Sequence, residues 1–284
     1  MKAKARATMH GAISIVNAIA TGYGSALGVC LEVVSEVAIS DGYGIRFHGG
    51  RPDRLVSNIV KNVIPKNILE NNLVNVQIKS EIPARFGLKS SSAVSNAISL
   101  ACHRLVQENI DDYAVLDAAV RASLDAKVSI TGAYDDASAC YFGGFVVTDN
   151  YGRKLLRREE APMNLYAAIF LPKNRQRGDL NRLKEMVEFF TDAFALAKSG
   201  DYWKAMKLNG IAASAALSAD YKPALAALTN GAISASLSGN GPSVAAVSRH
   251  EKIQEVKSAM AKFSGRVIVC QLSNEKASVS LIDG

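Results

Sequence analysis

The stretch Ile82-Pro83-Ala84-Arg85-Phe86-Gly87-Leu88-Lys89-Ser90-Ser91-Ser92-Ala93 has the residue types that hold a phosphate. Gly87 lets the backbone bend close to a bulky anion. The three serines bring hydroxyls and free N–H groups to the start of a helical apolar pattern, where the helix dipole favours negative charge. The same residues also fit an ordinary Ser-capped helix after a loop, and taken alone the segment leaves both readings open. It is not a Walker A loop, which needs Gly directly before Lys and a further Gly upstream; here Leu88 precedes Lys89 and no Gly lies near Pro83.

Two other features bear on the same chemistry. One is the acidic set Asp125, Asp135 and Asp136; the other is the sharp loop Ser238-Gly239-Asn240-Gly241-Pro242-Ser243. Phosphoryl transfer from ATP needs a cradle for the triphosphate, a metal held by a carboxylate and often a hydroxyl, and a group that orients the acceptor hydroxyl. The serine segment offers the cradle, the acids offer carboxylates for Mg²⁺, and the glycine loop offers close backbone approach. Each has a plainer reading: a solvated helical Asp125, a turn pair at Asp135-Asp136, and an ordinary β-turn around Pro242.

These residues must be placed by the elements around them. Gly28 to Ile39 and the alternating Leu73 to Ile82 read as strands, the second leading into the serine segment. Leu55 to Val63 reads as a helix. From Ser92 onward, Ala93, Ala97, Ala101 and Leu105 recur at one-turn spacing, which predicts a helix with a small, tightly packed face. A second helix runs from Asp111 to about Lys127, and Phe145 to Thr148 is a strand. The basic run Arg153 to Arg158 reads as an exposed turn, linker or solvated hairpin between halves. Beyond it come strands at Leu165 to Leu171, Ala232 to Leu237, Val244 to Val247 and Val267 to Leu272. Helices are expected at Leu180 to Ala197, Tyr202 to Ser218, Pro223 to Leu228 and Val256 to Phe263. Strands and helices mix without strict alternation, which predicts an α+β protein of two halves, residues 1–152 and 153–284.

The 284 residues suit two modest domains, and a net charge of +7 points to an anionic partner. Aromatics make up only 7% and never interleave with basic runs, so a nucleic-acid-binding module ranks low. Cys30, Cys102, Cys140 and Cys270 are too far apart for a zinc or redox motif and read as reduced thiols of a cytoplasmic protein. Lys2, Lys4 and Arg6 before the apolar Ala12 to Ala20 loosely mimic a secretory signal, but Ser14 and Asn17 interrupt it. No stretch is long enough to span a membrane.

The order and spacing of the three motifs resemble the GHMP kinases, the superfamily of galactokinase and of homoserine, mevalonate and phosphomevalonate kinases. Their phosphate motif is Pro, three residues, Gly-Leu, one residue, Ser-Ser, which Pro83, Gly87, Leu88, Ser90 and Ser91 match. Their C-terminal glycine motif is similar to Ser238 to Ser243. In the mevalonate kinase branch a catalytic Asp lies seven residues before a Gly-Gly pair, as Asp136 lies before Gly143-Gly144. An acidic Mg²⁺ ligand lies eleven residues earlier in that branch, where this chain has Asp125, with a shorter reach than Glu. Many of these kinases carry a Lys in their first motif, for which Lys2 and Lys4 lie too early.

A closer resemblance is to the archaeal-type shikimate kinases. It rests on the opening run Gly11 to Ala26, on Gly87 to Ser92 and on Thr131-Gly132-Ala133-Tyr134-Asp135-Asp136-Ala137, and it covers essentially the whole chain. It implies a two-domain GHMP kinase fold, with a ribosomal protein S5 domain 2-like N-terminal domain and a ferredoxin-like α+β C-terminal domain. The implied reaction is ATP-dependent phosphorylation of the 3-hydroxyl of shikimate, a small-molecule substrate, in chorismate and aromatic amino acid biosynthesis. Pro83, Arg85, Gly87, Leu88, Lys89, Ser90, Ser91, Ser92 and Ala93 would bind ATP, and Ser91 and Asp125 would hold Mg²⁺. Asp136 would be catalytic. Asn17, Thr21, Ser25, Gly239, Asn240 and Gly241 would join Asp136 in binding substrate. The shikimate carboxylate calls for Arg or Lys, and Lys173, Arg175 and Arg177 are candidates, although a solvated loop explains them equally. Lys89 is open between transition-state neutralisation and an exposed surface lysine. Homoserine kinase is the alternative within the superfamily.

Overall fold

The structure is a computed structural model that describes residues 3–48, 54–175 and 178–282. Arg177, one of the basic candidates above, and Lys2 lie outside the described residues. Two long strands, β1 (Ala3–Val16) and β2 (Tyr23–Ser40), pair antiparallel and form the spine of a seven-stranded sheet. In the first half of β1 the apolar Ala5, Ala7 and Met9 are buried, while Lys4, Arg6 and Thr8 alternate with them on the wetter face. Beyond Gly11 the strand is buried throughout, because the C-terminal unit covers it.

β3 (Gly44–His48) is joined through α1 (Arg54–Val63) and α2 (Lys66–Asn71) to β4 (Leu73–Ser80), which it pairs in parallel. α3 (Ser90–Val106), α4 (Asp112–Asp125) and α5 (Tyr134–Phe142) follow, with α3 and α5 packed on β1 and β2. Ala93, Ala97 and Ala101 are fully buried, so the small face of α3 sits close against the sheet. β5 (Phe145–Asp149) and β6 (Lys154–Glu159) form a hairpin that extends the same sheet.

The second unit contains β7 (Leu165–Pro172), a 3-10 segment at Leu180–Met186, α6 (Val187–Ser199), α7 (Tyr202–Leu217) and α8 (Lys222–Thr229). It closes with β8 (Ser234–Leu237), β9 (Val244–Arg249), α9 (Ile253–Met260) and β10 (Gly265–Gln271). Its antiparallel sheet has the order β10-β7-β9-β8, the arrangement of a ferredoxin-like unit. The chain then returns to the first sheet, where β11 (Ser278–Leu281) pairs with β1.

The expected division at 152/153 needs correcting. It falls inside the β5–β6 hairpin, whose second strand belongs to the first sheet, and β11 belongs there too. The basic run 153–158 is therefore a hairpin strand and not a linker. One hydrophobic core runs through both units: Phe145 stacks on Tyr202 with ring centroids 3.9 Å apart, and Ala193, Ala197 and Met206 join the cluster around Ile13, Leu27 and Ile98. This shared core packs the two units against each other, while a second cluster around Phe170, Leu183 and Met260 lies within the second unit.

Candidate active site

A cleft of about 330 Å³ opens where the start of α3, the segment leading into α5 and the Ser238 to Ser243 loop converge. The serine segment turns sharply into α3: Gly87 has φ +78° and Lys89, at the N-cap position, has φ 63°. A Cβ at Gly87 would lie 2.0 Å from the Ser238 carbonyl oxygen, so only glycine lets the two loops touch. They are tied there, since Ser238 Oγ donates to the Gly87 carbonyl at 2.8 Å and Ser243 Oγ donates to the Phe86 carbonyl at 2.5 Å. Ser90, Ser91 and Ser92 line the wall at the first turn of α3, whose unpaired N–H groups face outward from the helix end.

Lys89 points inward. Its Nζ lies 2.7 Å from Asp136 Oδ1 and donates to Ser14 Oγ at 2.8 Å. Burial works against the ammonium, but the carboxylates of Asp136 and Asp135 outweigh it, and the lysine is held above its ordinary value, protonated. The reading of Lys89 as an exposed surface lysine is thereby ruled out: 6% of its side chain is accessible.

Asp135 and Asp136 begin α5 and are not a turn pair; the positive end of the helix dipole lies under both. Asp135 is buried. Asn150 Nδ2 donates to its Oδ1 at 2.8 Å, and its own backbone N–H donates to Asn150 Oδ1 at 3.1 Å. Thr148 Oγ1 also donates to Asn150 Oδ1, which fixes the amide. Burial, and then the neighbouring Asp136 charge, push the Asp135 carboxyl up to about 7.

The glycine loop is held by the opening run of the chain. Asn17 Nδ2 donates to the Gly239 carbonyl at 3.1 Å and to Asn240 Oδ1 at 3.0 Å. Asn17 N–H donates to Asn209 Oδ1 at 2.8 Å, and Asn209 Nδ2 donates to Ser236 Oγ at 2.9 Å, so α7 and β8 back the arrangement. Gly239, Asn240 and Gly241 line the cleft together with Asn17.

Of the expected site residues, Arg85, Gly87, Leu88, Lys89, Ser90, Ser91, Ser92, Asn17, Asp136 and the three loop residues come together on the cleft wall. The others do not. Ala93 is buried one turn into α3, and Pro83 is set back from the wall. Ser25 is fully buried in β2 with its hydroxyl donating to the Val146 carbonyl, so its role is to bond the sheet, not a substrate. Thr21 Oγ1 accepts from Tyr23 N–H and donates to the Tyr23 carbonyl, which makes it a local turn residue. Asp125 is exposed at the last position of α4, off the cleft wall, while Ser123 is on it. Two residues along a helix turn the side chain about 200°, so both cannot face the cleft. Arg175 stacks its guanidinium 4.6 Å from the Phe86 ring centre, beside the serine segment. Ser14, Asn150 and Asn209 were missed by sequence reasoning, and Asp135 was read only as one of three acids, not as a buried partner of Asn150. The Thr131 to Ala137 run contained Asp135, but nothing local marks a serine inside a strand as a partner of residues 75 and 225 positions away.

The two-unit α+β fold, with a serine-lined cleft between the start of α3 and the glycine loop, is that of a GHMP kinase. The family model described as GHMP kinases N terminal domain matches residues 54–144. Homoserine kinase from Cytophaga hutchinsonii shares the fold, with a TM-score of 0.77 at 19% identity over 98% of this chain and 97% of that one. Mevalonate kinase from Methanococcus jannaschii does so with a TM-score of 0.75 at 15% identity, over 94% and 98%. At the sequence level the chain is 37% identical to a shikimate kinase of Methanobrevibacter smithii over 281 residues, covering 93% of this chain and 95% of that protein. It is 39% identical to one of Methanosarcina acetivorans over 287 residues, covering 98% and 97%. The chain belongs to the archaeal shikimate kinase family of the GHMP kinases.

Proposed function

We propose that this protein transfers the γ-phosphoryl group of ATP to the 3-hydroxyl of shikimate, giving ADP and shikimate 3-phosphate for chorismate and aromatic amino acid synthesis. The observation that carries the chemistry is the buried contact of Lys89 with Asp136 at the foot of the serine-lined α3 terminus. The choice of acceptor rests on the relatives named shikimate kinase across nearly the whole chain.

In this reading Ser90, Ser91 and Ser92 receive the β- and γ-phosphates on N–H groups and hydroxyls at the positive end of α3. Lys89 places a fixed charge where negative charge spreads over the transferred group. Asp136 orients the acceptor hydroxyl and takes its proton as the new oxygen–phosphorus bond forms and the bond to the ADP oxygen breaks. Lys173 and Arg175 lie on the exposed segment after β7, and Arg175, over Phe86, suits the substrate carboxylate.

Among the described residues the cleft lining contains hydroxyls and carboxylates and no His or Cys, a donor set suited to a hard cation such as Mg²⁺. Ser91 would hold the ion with triphosphate oxygens, and it would neutralise phosphate charge there. The test is product formation from ATP with shikimate, homoserine and mevalonate side by side. Phosphorylation of shikimate alone is expected; equal turnover of homoserine would overturn the assignment.

A further inference from the structure

Ser14 is 1% exposed, yet it is part of the cleft wall. Its oxygen accepts from Lys89 Nζ at 2.8 Å and from Gly239 N–H at 2.8 Å. A hydroxyl has two acceptor sites and one proton, so both lone pairs are spent. Among the described residues no acceptor takes the remaining proton. The backbone is fixed as well, since Ser14 N–H donates to Ser238 Oγ at 3.3 Å, whose own proton goes to Gly87. A buried O–H without a partner costs free energy unless something fills the site, and the cleft is where a filling atom would come from.

We propose that Ser14 latches Lys89 to the glycine loop of the second unit and offers its O–H as a hydrogen-bond donor to an oxygen of the bound reactants. The inference rests on the phosphoryl-transfer reading of the cleft. The receiving oxygen belongs either to the transferred phosphoryl group or to the acceptor hydroxyl, both of which must lie beside Lys89 and Asp136. The latch also accounts for the Gly239 N–H, which is held by Ser14 and so is not one of the phosphate donors.

The test compares Ser14→Ala and the near-isosteric Ser14→Cys with the wild-type full chain. Steady-state kinetics, calorimetric binding of ATP alone and of shikimate alone, and thermal unfolding are measured on each. Thiols donate and accept weakly, so both variants should lose roughly 10²-fold in kcat, with Ser14→Cys unfolding close to the wild-type temperature. Weakened ATP binding with shikimate binding intact identifies the phosphoryl oxygen, and the reverse identifies the acceptor hydroxyl; either supports the proposal. A folded Ser14→Cys with unchanged kcat and both affinities unchanged overturns it, as does a kcat loss that only tracks the unfolded fraction. If the wild-type protein leaves shikimate unphosphorylated, the proposed reaction fails by itself and the acceptor-hydroxyl alternative falls with it; the ATP-binding arm then decides whether Ser14 donates to a phosphoryl oxygen, weakened binding supporting that role and unchanged binding overturning it.

Discussion

Lys89 and Asp136 meet at 2.7 Å although they come from the starts of two different helices, α3 and α5. The lysine is almost wholly buried and the aspartate largely so. Removing one partner of such a pair leaves an uncompensated charge, at a cost of about 3–5 kcal/mol. Lys89→Met is therefore expected to lower stability in urea titrations by that order and to abolish turnover. Lys89→Arg should retain stability better but turn over poorly, because the planar guanidinium cannot serve both Ser14 and Asp136 in the space of an ammonium.

Gly87→Ala places a methyl group against the Ser238 carbonyl at a backbone conformation that side chains rarely adopt. The two loops must then separate. The expected result is weakened ATP binding by calorimetry together with a stability loss of about 1–3 kcal/mol.

Asp135 gives a pH signature. Its folded value near 7 stands above the unfolded carboxylate value of 3.8, so the folded state retains a proton that the unfolded state has lost. Stability from this group is fully present below about pH 4 and declines as pH rises toward 7, by at most ~1.4 kcal/mol per unit, after which it is flat. Asp135→Asn keeps the acceptor oxygen for Asn150 and removes the titration. Its stability should be less pH-dependent than that of the wild type between pH 4 and 7 in denaturant titrations; an unchanged slope would show that Asp135 is ionised throughout.

Much of the site was legible in the sequence because its motifs are local. Pro83 through Ser92 form one continuous turn into a helix, and the glycine loop is likewise contiguous, so residue types and spacing marked both as candidates, and the resemblance to GHMP kinases chose between the open readings. The strands and helices of the second unit were legible from their periodicity for the same reason. What failed was placement across distance and within a helix. Asp125 has the right spacing from Asp136, but spacing does not report which face of α4 it occupies. Ser25 sits in the opening run with Asn17, yet alternation along β2 turns its hydroxyl to Val146. The return of β11 to β1 depends on pairing between the two ends of the chain, which no local pattern encodes.

Asp125→Ala tests that correction. An exposed residue off the cleft wall should leave kcat and the Mg²⁺ dependence within a few-fold of the wild type. A large rise in the Mg²⁺ concentration needed for activity would place Asp125 in the metal site after all.

The role of Asp136 is tested most directly by Asp136→Asn, assayed for shikimate phosphorylation and for ATP binding on the same folded sample. The account predicts that turnover falls by about 10²–10⁴-fold while ATP affinity stays close to that of the wild type. Near-normal turnover in the variant would contradict it.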